Sequence, residues 1–68
     1  MPFDGGIVRY NFAEDRLQIL FNEIPDKEFR TKMHNQYRFN WSRQFGAWQR
    51  QLTPNAECAA ERLLNIKL

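Results

Sequence analysis

Sixty-eight residues, 43% hydrophobic and 26% charged, suffice for one small globular domain and exclude a disordered tail. No apolar run approaches the ~20 residues that span a bilayer, so no membrane partner is expected. The single cysteine, Cys58, rules out an internal disulfide framework. With an N-terminus that lacks the basic and apolar regions of a signal peptide, it points to a cytoplasmic location. Net charge is +2, but unevenly spread: residues 1–28 carry three basic and six acidic side chains, and residues 29–56 carry five basic and none acidic. That asymmetry suggests a polyanionic partner.

In chain order, Gly5-Gly6 reads as a loose lead. Residues 7–21 read as a β-hairpin, because Val8, Tyr10 and Phe12 alternate with Arg9 and Asn11, and Leu17, Ile19 and Phe21 with Arg16 and Gln18. A two-residue turn at Glu14-Asp15, or a four-residue loop from Ala13 to Arg16 in the same register, pairs Phe12 with Leu17, Tyr10 with Ile19 and Val8 with Phe21. An odd-length loop would set apolar residues against polar ones. A helix is expected over 25–35, with Pro25, Asp26 and Glu28 in its first turn and basic residues near its end.

Residues 37–52 read as a second hairpin. Tyr37, Phe39 and Trp41 alternate with polar neighbours, and a four-residue Arg43–Gly46 loop sets Ser42 against Ala47, Trp41 against Trp48 and Phe39 against Arg50. A helix over 54–66 opens at Thr53 as N-cap with Pro54 at its first position. Its stripe is Ala56, Ala59, Ala60, Leu63 and Leu64. The fold predicted is α+β, in the order ββαββα. A four-stranded antiparallel sheet would carry both helices on its aromatic face, where Tyr37, Phe39, Trp41 and Trp48 are assigned to the core.

The opposite face then displays Arg9, Asn11, Arg16, Gln18, Arg38, Asn40, Gln49 and Gln51, with Ile7 and Leu20 as its main apolar members. Guanidinium and carboxamide groups bond to phosphates and base edges, and a bare sheet face is a platform for nucleic acid. Arg43 and Phe45 at the second hairpin tip extend the set. Phe45 is open to three readings: a wedge, a stacking residue, or a ring folded over the sheet edge. One His and one Cys, far apart in sequence, supply neither a nucleophile–base pair nor a metal constellation, and no glycine-rich phosphate loop is present. The expectation is a non-enzymatic protein with no cofactor. Its partner would be nucleic acid, or in the alternative another protein, such as a host enzyme that it inhibits, or a second copy of the chain.

The run Phe39-Asn40-Trp41-Ser42 … Ala47-Trp48-Gln49-Arg50-Gln51-Leu52-Thr53, followed by Asn55-Ala56, resembles an uncharacterised small module of phage- and plasmid-borne bacterial proteins. Arg16–Phe21 and Pro25-Asp26 are similar to the same module. Arg38, Asn40 and Arg43 depart from its usual glycine, arginine and proline. A looser pattern, an aromatic strand returning through a tryptophan-bearing strand to a helix, resembles the HARP module of annealing helicases. These likenesses imply a mobile-element origin and favour DNA over RNA.

Overall fold

The computed structural model describes residues 1–68. Its elements are β1 (Pro2–Phe3), β2 (Gly6–Asn11), β3 (Arg16–Phe21), α1 (Lys27–Asn35), β4 (Asn40–Ser42), β5 (Ala47–Gln51) and α2 (Pro54–Leu64). They form an α+β structure with one antiparallel sheet in the order β1-β2-β3-β5-β4. The sheet has five strands rather than four. Residues 2–3 fold back through the Asp4-Gly5 turn and pair Phe3 with Gly6 and Pro2 with Ile7. Gly6 is thus a strand residue rather than a loosener. A Cβ there would lie 2.0 Å from the Leu20 carbonyl oxygen.

The first hairpin keeps the expected alternation but shifts its register by two residues. Val8 pairs with Ile19, Tyr10 with Leu17 and Asn11 with Arg16. The loop therefore runs from Phe12 to Asp15. Asn11 closes the strand early, because its Oδ1 accepts from the Glu14 N–H at 3.2 Å, and Asp15 takes the left-handed backbone at φ 56°. Asn and Asp tolerate these local roles better than other residues. Phe12 is displaced from the sheet and left 76% exposed, stacked on Tyr10.

The second hairpin has the expected register, with Trp41 opposite Trp48 and Ser42 opposite Ala47. Its loop repeats the logic of the first. Ser42 Oγ accepts from the Phe45 N–H at 3.3 Å, and the fourth loop residue, Gly46, sits at φ 61°. Its first strand is shorter than expected, since Arg38 also has a left-handed backbone at φ 64° and β4 begins only at Asn40. The cause lies in the end of α1. The N–H groups of Gln36 and Tyr37 bond to Lys32 O and that of Phe39 to Met33 O, satisfying two of the last four helical carbonyls. The chain must then reverse before it can pair.

Helix α1 starts at Lys27, because Asp26 is its N-cap and accepts from the Phe29 N–H at 2.8 Å; Pro25 lies outside it. Thr53 caps α2 as expected, with Pro54 first, and left-handed Asn65 ends it two residues before the anticipated boundary. The core unites both hairpins and both helices: Val8, Leu17, Ile19, Met33, Phe39, Ala56, Ala60 and Leu63. Alanines at 56 and 60 admit α2 close to the sheet. Complete burial of Leu17 and Ile19 contributes about 1.5–3 kcal/mol each.

Candidate nucleic-acid interface

Strand alternation and register together decide which side chains share the face opposite the helices. Arg9, Gln18, Gln49 and Asn40 stand in one row across β2, β3, β5 and β4, and Asn11, Arg16 and Gln51 form a second row. Seven of the ten residues anticipated for the interface therefore lie together on one face, and no carboxylate occurs in either row. Ile7 and Leu20 pair at the end of the face away from the first loop.

The remaining three are placed differently. Arg38 belongs to no strand; it lines a shallow recess with His34, Asn35 and Asn40 beside the end of α1. Arg43 is exposed in the hairpin loop, and Phe45 is half-buried there. Nor does the basic segment 29–56 gather its charge on this face. Arg50 pairs with Leu17 on the helix side, where it donates to Tyr37 O at 2.9 Å and its guanidinium carbon lies 5.9 Å from the Phe39 ring centroid. Lys32 lies over Tyr37 at 6.0 Å. The face draws its two arginines, Arg9 and Arg16, from the acidic half of the sequence.

Gln18 is the unexpected member. It is fully buried although it sits on the face without helices. Its Oε1 accepts from Arg9 Nε at 2.8 Å and from Asn11 Nδ2 at 3.5 Å, while its Nε2 donates to Gln49 Oε1 at 2.8 Å. Such a buried amide is tolerated only because its groups are partnered. At the loop end, Gln51 Nε2 donates to Asp15 Oδ2 at 3.3 Å, and Arg16 Nη1 to Asp15 O at 2.9 Å.

On the helix side a second feature emerges that alternation did not foretell. Trp41, expected in the core, is 53% exposed, and Trp48 is only half-buried. The two rings meet at 5.8 Å and 58°. With Phe21, Ile24, Pro25 and Arg30 they line a groove of about 350 Å³. Ile24 is 86% exposed. It lies in the β3–α1 connection, outside any periodic pattern, and an isoleucine between Glu23 and Pro25 was the one available signal. Cys58 is exposed on α2, in a different recess from that of His34. No group of three or more His, Cys, Asp or Glu could hold a metal ion, and no helix is long and apolar enough to cross a membrane.

No protein-family model, no curated protein and no solved structure matches the chain.

Proposed function

We infer that the protein is a non-enzymatic, cytoplasmic nucleic-acid-binding module that serves a mobile element of the phage or plasmid type. The supporting observation is the helix-free row Arg9–Gln18–Gln49–Asn40, flanked by Asn11, Arg16 and Gln51. Guanidinium and carboxamide donors in strand rows that contain no carboxylate suit a phosphate backbone. Resemblance of the Phe39–Thr53 segment to mobile-element and annealing-helicase modules supports the origin and favours DNA over RNA. A separate His34 and Cys58 argue against nucleophilic catalysis, which needs both groups converging.

Titration of labelled single- and double-stranded oligonucleotides at two salt concentrations tests this reading. Arg9→Ala should weaken binding uniformly across sequences and lower the slope of log affinity against log salt by about one. If Phe45 stacks on a base, Phe45→Ala should cost about 1–3 kcal/mol with an unchanged slope. Absence of wild-type binding at low salt overturns the reading.

The exposed Trp41–Ile24 groove favours a second reading, a protein-interaction module acting on a host enzyme or on a second copy of the chain. Aromatic anchors in a groove carry much of the energy in such interfaces. Binding that survives high salt and is lost in Trp41→Ala would select it.

A further inference from the structure

The hydrogen bonds of the sheet face have a direction. Arg9 Nε can only donate, so the Gln18 group 2.8 Å away must be its oxygen. Gln18 Nε2 then points at Gln49, and the Gln49 group that receives it must likewise be oxygen. Independently, the Glu14 backbone N–H fixes Asn11 by taking its Oδ1. Two donor-only anchors thus orient all three carboxamides with no freedom to flip. The oxygen of each accepts within the sheet or its loop, so their amino groups are turned away from those bonds. What remains free is the Gln49 amino group, a hydrogen of the Asn11 amide, and both terminal Nη groups of Arg9.

We propose that buried Gln18 is a positioning residue that holds the Arg9 guanidinium by its Nε with both Nη groups outward, making the Arg9 end of this face a receptor for the anionic oxygens of a phosphodiester backbone. The proposal rests on the nucleic-acid reading above. Phosphodiester oxygens are acceptors alone. An Arg held through Nε keeps its two outward amino groups in the fork that an oxyanion takes bidentately. Gln18 supplies that restraint without facing the ligand itself.

The experiment compares a twelve-nucleotide phosphodiester strand, the same strand with uncharged methylphosphonate linkages, and inorganic phosphate, on the wild type and on Gln18→Met. Methionine keeps the volume and removes both hydrogen-bonding groups. Gln18→Met should bind the phosphodiester strand about tenfold more weakly, the scale of one charge-assisted hydrogen bond. Its salt slope should be unchanged, because Arg9 keeps its charge. The methylphosphonate strand should lose most of its binding, and inorganic phosphate should bind far more weakly than the strand. In the wild type the Arg9 Nε–H resonance should be protected from solvent exchange, a measurement that stands even if Gln18→Met fails to fold. A folded Gln18→Met that binds like wild type, an unprotected Arg9 Nε–H, or equal affinity for charged and uncharged strands overturns the proposal while leaving nucleic-acid binding intact. Phosphate matching the strand in affinity would make this a free-anion site and also overturn it. Failure of the wild type to bind any strand removes the underlying reading instead.

Discussion

Tyr10 shows how one polar contact can tie a helix to a sheet. Its hydroxyl donates to Glu57 Oε2 at 2.7 Å, joining β2 to the first turn of α2. That bond, reinforced by partial burial and by the charges of Glu57 and Glu61, pushes the phenol up from 10.0 to about 12. The folded chain therefore holds this proton more tightly than the unfolded one. The associated stability is fully present below pH 10 and is lost as pH rises towards 12. Tyr10→Phe should lower stability by about 1 kcal/mol at neutral pH. It should also flatten the decline between pH 10 and 12, which denaturant melts at successive pH values would reveal.

Among the elements, the two hairpins close alike and depend on glycine for different reasons. Gly46 needs its left-handed backbone but has open space around it, so Gly46→Ala should cost about 1 kcal/mol. Gly6→Ala would drive a methyl group into the Leu20 carbonyl and should break the β2–β3 pairing, at several times that cost. Chemical denaturation of the two variants side by side checks the order. The sequence already showed the second loop, because Gly46 ends it and the tryptophans bracket it. It also showed Thr53-Pro54 as the start of α2 and the parity of Arg9, Gln18, Gln49 and Asn40, since period two fixes parity whatever the register. It did not show the two-residue shift in the first hairpin, because Phe12 continues the alternation that Asn11 interrupts with its side chain. Nor did it show the break at Arg38, which arises from how α1 ends rather than from the residue itself. The burial of Gln18 was equally hidden, because it depends on neighbours brought together from three strands.

Over the whole molecule only 11 of 68 residues are buried, so the stability margin is that of a small domain, a few kcal/mol. The two tryptophans should divide unequally within that margin. Trp48 lies between Ile19 and Trp41 in adjacent strands and packs against the core, whereas Trp41 stands at the sheet's rim. Trp48→Ala should cost about 3–5 kcal/mol and leave little cooperative structure. Trp41→Ala should cost about 1 kcal/mol and keep a sharp melt, since half its surface already faces water. Thermal and urea melts distinguish them. Each tryptophan thus has a separate use: one holds the chain together, and the other is free to meet a partner.

The left-handed backbone at Arg38 has a further consequence. It leaves the outer strand β4 only three residues long. An open sheet border with unpaired backbone groups invites edge-to-edge assembly into aggregates, and the hazard grows with the length of flat strand on offer. Had the chain stayed extended from Tyr37, that border would have run for six residues and included two more aromatics. The bend at Arg38, with a cation on it, works against fibril growth. The same bend withholds Tyr37 and Phe39 from that border.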